Sequence, residues 1–135
     1  MSEDYVDDPS ILDETRLFRR VILAPDLWIV WDNNRGAWRP TSVAFDNDRY
    51  GSPMSVVLED TLAESGRPPE SALEGHDDMA LAAITAQDAR SSEQIIVRDP
   101  VDEEPAHGLV VGSKSKKIKR HLSRAAVWVV PPQFE

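Results

Sequence analysis

The sequence has 135 residues, of which 41% are hydrophobic, and it contains four tryptophans and no cysteine. This size fits one compact domain with a substantial core, and the missing cysteine excludes disulfides, thiolate catalysis and cysteine-ligated zinc. The formal net charge of −9 disfavours nonspecific adhesion to nucleic acid or anionic membranes. Because the chain has no long apolar run and an acidic start, we expect no transmembrane helix and no secretory signal, and hence a cytoplasmic protein.

The first half of the chain predicts an acidic tail followed by a β-hairpin. Residues 1–15 are rich in acidic side chains and have few apolar ones to hold them down, so we expect a flexible tail before a single domain that spans residues 16–135. Residues 16–22 and 27–32 are rich in β-branched and aromatic side chains, which is typical of strands. The Asp-Asn-Asn-Arg-Gly run that follows predicts a turn back into a strand over residues 37–45.

The next segments alternate between short strands and short helices. Residues 54–66 are expected to begin as a strand and to end as a short helix stopped by Gly66. The continuous apolar run at residues 79–85 predicts a buried strand, and a capped helical turn follows it. Residues 93–99 and 108–112 are two further predicted strands. A proline-flanked acidic loop separates them.

The clearest periodic pattern predicts an amphipathic helix near the end of the chain, with Ser113 or Ser115 as its N-cap. One apolar stripe is formed at helical spacing by Ile118, Leu122, Ala125, Ala126 and Val129. Residues 127–130 are expected to become extended before Pro131. The predicted fold is therefore a single α+β domain, with a mixed or antiparallel sheet of five or six short strands and a C-terminal amphipathic helix packed on it.

The cations of the chain are gathered on this helix. Residues 1–113 carry a charge of −14, whereas residues 114–124 carry +6, from four lysines and two arginines. Cations near a helix N-terminus are unfavourable by about 0.3–1 kcal/mol each, which favours a compensating anion. We expect a partner-binding face formed by Lys116, Lys117, Lys119, Arg120 and Arg124.

The compensating anion has two alternatives. One is another molecule: an accessory or interaction protein would present the basic face to an acidic protein surface, with nucleic acid as the other class of partner. The second is the acidic body of the protein itself, including the Asp-Glu-Glu run at residues 102–104. Surface charge runs often contribute little, so the sequence leaves both alternatives open.

A different hypothesis is a small enzyme or ligand-binding domain for a phosphorylated or nucleotide-like molecule. His107 lies between an acidic loop and an apolar strand, where Glu103 or Glu104 would tune it as a catalytic acid or base. Its alternative role is a histidine at a strand edge, hydrogen-bonded to the backbone.

Three residues of the first hairpin would hold the anion of such a ligand. Arg20, Arg39 and Ser42 supply guanidinium forks and a hydroxyl, which suit phosphate or carboxylate. This hypothesis requires these residues to converge on His107. The alternative for the two arginines is pairing with nearby acids at the sheet edge.

Other common site motifs are absent from the sequence. The chain contains neither the P-loop spacing nor a Gly-x-Gly dinucleotide motif, and its three histidines are too widely spaced for a metal-binding motif. We therefore expect no cofactor and no metal site. Trp28 and Trp31 have odd spacing and face opposite sides of a strand, so an exposed member of this pair would mark a contact surface.

Overall fold

The computed structural model describes residues 5–48 and 52–134. In these ranges the chain forms eight strands, three α-helices and two 3₁₀ helices. The strands are β1 (Arg16–Ile22), β2 (Ile29–Asp32), β3 (Ala37–Pro40), β4 (Met54–Leu58), β5 (Met79–Thr85), β6 (Ile95–Arg98), β7 (His107–Val111) and β8 (Val127–Val130). The helices are α1 (Glu59–Glu64), α2 (Ala86–Arg90) and α3 (Lys116–Ala125), and the 3₁₀ helices are Ser42–Phe45 and Pro69–Leu73.

The main sheet is six-stranded and antiparallel, which confirms the α+β class. Its strand order is β6-β7-β4-β1-β5-β8, and β2 and β3 form a separate hairpin. Apolar side chains are buried on both faces of the main sheet: Leu17 and Val21 belong to one core cluster, and Phe18, between them, belongs to another. The uninterrupted apolar sequence of β5 follows from this burial on both faces.

The strand predicted over residues 37–45 ends early. β3 stops at Pro40, and residues Ser42–Phe45 form a 3₁₀ helix with Ala44 and Phe45 buried. Proline has no N–H to donate to a strand ladder, which accounts for the end of the strand. The predicted helical turn after β5 is confirmed as α2, where Thr85 and Asp88 form a reciprocal capping box.

The predicted basic helix is α3, but the chain does not end with it. Ser115 caps it by accepting a hydrogen bond from the Ile118 N–H at 3.2 Å. The helix stops at Ala125, so Val129 lies in β8 and not on the helical stripe. Successive β-branched side chains favour the extended conformation there, and Pro131 cannot continue a helix. α3 packs mainly against the first 3₁₀ helix, with Leu122 fully buried.

The segment predicted as a flexible tail makes contacts with the domain from Asp7 onward. The Asp7 carboxylate accepts a hydrogen bond from the Ile96 N–H at 2.9 Å and pairs with Arg90 at 3.1 Å. Ile11 is fully buried in the main core cluster. Ile11 is thus an apolar anchor that the composition of this segment did not predict. Its mobility in solution stays a prediction, and residues 1–4 lie outside the described part of the chain.

Candidate functional site

The lysine cluster divides into two inward and two outward side chains. Lys114 is partly buried, and its ammonium donates to the Asn47 Oδ1 at 2.5 Å and to the Val110 carbonyl at 3.1 Å. The Lys119 ammonium pairs with the Asp46 carboxylate at 3.2 Å. These two lysines therefore fasten the loop after the first 3₁₀ helix: Lys114 through neutral oxygen atoms, and Lys119 through a carboxylate of the protein itself.

Burial and hydrogen bonding shift the pKa values in this inward cluster. Burial lowers the pKa of Lys114 to about 8, with a further contribution from the positive charge of Arg19. Burial acts to raise the pKa of Asp46, but hydrogen bonds from the Asn47 N–H and the Lys119 ammonium outweigh it and hold that pKa below its ordinary value. The cluster is thus a partly buried polar contact between the start of α3 and the loop after the first 3₁₀ helix.

Four other cations of α3 point outward. Lys116, Lys117, Arg120 and Arg124 are exposed, and within residues 5–48 and 52–134 none of them forms an ion pair. We call these four the outward cations. The acidic run at residues 102–104 does not serve as their partner through Glu104, because that carboxylate pairs with Arg67 at 2.6 Å.

A groove lies beside the outward cations, between the β2–β3 hairpin and the end of α3. Its volume is about 970 Å³. It brings together Arg39 and Ser42, predicted as anion holders, with Arg120 and Arg124, predicted as partner-binding residues. The structure therefore joins two residue sets that the sequence had assigned to different hypotheses.

Aromatic side chains form part of the groove wall. The Trp128 indole N–H donates to the Trp38 carbonyl at 2.9 Å, which ties the start of β8 to the hairpin. Trp38 makes an edge-to-face contact with Trp31, with ring centroids 5.5 Å apart. Trp31 is 48% exposed, whereas Trp28 packs against the core. The exposed member of the predicted pair is thus Trp31.

The carboxylate of Asp32 lies in the same groove. Its Oδ2 is 3.5 Å from the Arg39 Nε and 3.7 Å from the Arg35 Nε. Both contacts are longer than a good charge-assisted hydrogen bond, and both arginine side chains are exposed, at 47% for Arg39 and 68% for Arg35. These guanidinium groups therefore retain donors for a ligand.

Arg20 does not reach the groove. It lies on the opposite side of β1 from Arg19, next to the second 3₁₀ helix, and its Nε donates to the Ala72 carbonyl at 2.8 Å. Its guanidinium is committed to a backbone contact that holds that helix on the sheet. The structure thus separates Arg20 from Arg39 and Ser42.

His107 has a carboxylate partner other than the predicted ones. Its Nδ1 lies 2.8 Å from the Asp99 carbonyl oxygen and 3.0 Å from the Asp99 carboxylate, whereas the nearby Glu104 binds Arg67. His107 lines a cleft of about 680 Å³ together with Ser55 and Asp48. Arg39 and Ser42 line the groove and not this cleft. His107 and the two predicted anion holders thus line different cavities, and the catalytic role of His107 stays a prediction.

Within residues 5–48 and 52–134 no three His, Asp or Glu side chains are grouped so as to hold a metal ion. None of the helices in the described part is long and apolar enough to cross a membrane.

Comparisons with known proteins give no further assignment: no protein-family model, no curated protein and no solved structure matches this chain. The groove and the outward cations are therefore the features that bear on function. Sequence reasoning missed Trp38 and Trp128 as groove residues. The signal available for Trp38 was the density of tryptophan around the hairpin. Trp128 lies in β8, and only its hydrogen bond to the Trp38 carbonyl places the two residues side by side.

Proposed function

We propose that this chain is an interaction protein that binds an acidic segment of a protein partner through the outward cations and the adjoining groove. The observation that carries the proposal is the contrast among the cations. Arg16, Arg67, Arg90 and Arg98 all pair with carboxylates, whereas the outward cations have no partner in the described part of the chain. An external anion would supply the missing partner.

The position of these cations strengthens the argument. Lys116 and Lys117 stand in the first turn of α3, where positive charge is unfavourable by about 0.3–1 kcal/mol each. Such an arrangement gives no benefit to folding, but it adds to the positive potential at the helix start. Buried Leu122 seats the other side of the helix on the domain, so that the cations remain directed outward.

An acidic protein segment fits this surface better than a nucleic acid does. The net charge of −9 repels a long polyanion, and Asp26 and Asp32 line the groove itself. A nucleic acid would gain from about one released counterion per neutralised phosphate, and the outward cations offer few such contacts. Carboxylates pair bidentately with single arginines such as Arg39 and Arg124, as phosphates also do, so a short acidic segment needs only the few cations that this surface offers.

A binding experiment with two defined probes tests the proposal. The probes are a glutamate-rich peptide and an oligothymidylate of equal charge, titrated against the intact protein by tryptophan fluorescence. We expect the peptide to bind more tightly, and the double variant Arg120→Gln/Arg124→Gln to bind it at least about tenfold more weakly.

The control adds the same change in net charge at exposed positions near α1, with Ala63→Glu and Ser65→Glu. We expect this variant to bind the peptide as the unmodified protein does. Equal weakening in both variants would show that only the total charge matters, and tighter binding of the oligothymidylate would reject a protein as the partner.

A further inference from the structure

One edge of the main sheet is unpaired beside the groove. Among the described strands, β8 is the last of the sheet and pairs with β5 alone. In the described part of the chain, no other backbone hydrogen bond is made by residues 127–130. An edge of this kind presents free N–H and C=O groups, and it is the site at which extended peptides are added in β-augmentation.

The start of this strand borders the groove. Ala126, Val127 and Trp128 are among the residues that line it, and Val127 is 60% exposed. The opposite wall is the hairpin, held in place by the Trp128 indole N–H bound to the Trp38 carbonyl. A chain lying in the groove would therefore run beside the start of β8.

Charge complementarity indicates which kind of chain would lie in the groove. Arg39, Arg120 and Arg124 line the same groove, and among the described residues the carboxylate that pairs with Arg39 is that of Asp32, at 3.5 Å. In an extended strand, alternate side chains point to the same face, so acidic residues at every second position would all face one side. Apolar residues at the other positions would face the exposed side chain of Val127 or the indoles.

We propose that the acidic segment binds in an extended conformation as an added strand along β8, with its carboxylates on Arg39, Arg120 and Arg124. This inference rests on the proposed function and specifies how the same site recognises its partner. A helical peptide satisfies its own backbone hydrogen bonds and would leave the edge of β8 to water. A nucleic acid has no peptide backbone with which to form the ladder.

Backbone-modified peptides separate strand addition from simple charge attraction. The probe is a peptide of alternating glutamate and valine, roughly eight residues long, as in an ordinary strand. Two further versions carry N-methyl groups on either the odd or the even residues. All three peptides have the same charge and side chains. In each methylated version, however, one edge of the peptide strand can no longer donate backbone hydrogen bonds. We expect one methylated version to bind at least about tenfold more weakly and the other to bind nearly as well as the parent.

Amide hydrogen exchange supplies a second measurement. Binding of the unmodified peptide is expected to slow exchange in residues 127–130 and to leave that of β6, at the other end of the sheet, unchanged. If both methylated peptides bind as the parent does and Arg120→Gln/Arg124→Gln still weakens all three, strand addition is rejected and the proposed function stands. If neither the peptides nor an oligothymidylate binds, both proposals are rejected.

Discussion

The buried guanidinium of Arg19 donates from Nη1 to the carbonyl oxygen of Ser55 at 2.9 Å and so bridges two strands that have stopped pairing. β1 and β4 pair only at Leu17 with Leu58 and at Phe18 with Val57, and they diverge beyond those residues. The same side chain donates from Nε to the Ala44 carbonyl at 2.9 Å. Arg19 therefore holds the first 3₁₀ helix, on which α3 packs, against the opening in the sheet.

Replacing Arg19 is predicted to destabilise the domain strongly. Arg19→Met removes these donors and leaves Asp48, which Arg19 binds at 3.2 Å, without its counter-charge. Because Asp48 is 32% exposed, most of the expected loss comes from the Ala44 and Ser55 carbonyls, which are left without a donor, at about 1–3 kcal/mol each. Urea denaturation measures this loss. The matched control is Arg16→Met on the same strand. Its pair with Glu59 is more exposed, so we expect a loss below about 1 kcal/mol; equal losses would contradict the bridging role.

Lys114 gives a prediction about pH. Its pKa is about 8 in the folded protein, against an ordinary value of 10.5. Below pH 8 Lys114 is protonated in both the folded and the unfolded states, so its contribution to the free energy of unfolding does not change with pH there. Between about pH 8 and 10.5 the unfolded chain holds more protons, and the contribution of Lys114 to the free energy of unfolding therefore rises with pH.

The measurement compares the protein with Lys114→Met across this pH window. We expect the free energy of unfolding of the unmodified protein, relative to that of the variant, to increase from pH 8 to 10. Lys119→Met serves as the control, because Lys119 is paired with Asp46 in the same cluster. A flat difference for Lys114→Met would show that its ammonium titrates as in water.

Two of the outward cations, Lys116 and Lys117, are predicted to cost folding stability. Lys116→Glu and Lys117→Glu place acidic side chains in the first turn of α3, where they should raise the free energy of unfolding by about 0.3–1 kcal/mol each. Arg124→Glu is the matched control in the last turn, and the opposite sign is expected there. Thermal denaturation measures the change in the free energy of unfolding for each of the three variants. Destabilisation by all three variants would indicate that the cations serve the fold itself.

The N-terminal segment gives the last prediction. Ile11 is fully buried, whereas its neighbour Leu12 is 56% exposed. Ile11→Ala should lower the free energy of unfolding by about 2–4 kcal/mol, and Leu12→Ala by less than about 0.5 kcal/mol. If chemical denaturation finds both variants neutral, residues 1–15 are a flexible tail, as their composition predicts.

Several elements were predictable because their causes are local. The apolar run of β5 and the capping residues of α2 and α3 act within a few positions of the chain. The outward direction of Lys116, Lys117, Arg120 and Arg124 likewise follows from the helical period, since Leu122 occupies the opposite side. The end of β3 at Pro40 also has a local cause, the missing N–H of proline, but the 3₁₀ helix that follows it was not predicted.

What the sequence by itself determined is thus the α+β class, the main local elements and the segregation of charge onto α3. Only the tertiary structure decided which lysines face inward, because Asn47 and Asp46 are distant in sequence from Lys114 and Lys119. It also decided that Arg39 shares a groove with Arg124 while Arg20 and His107 lie elsewhere. The physical reason is that periodicity fixes the direction of a side chain from its own element, whereas its partner depends on how the strands are ordered in the sheet.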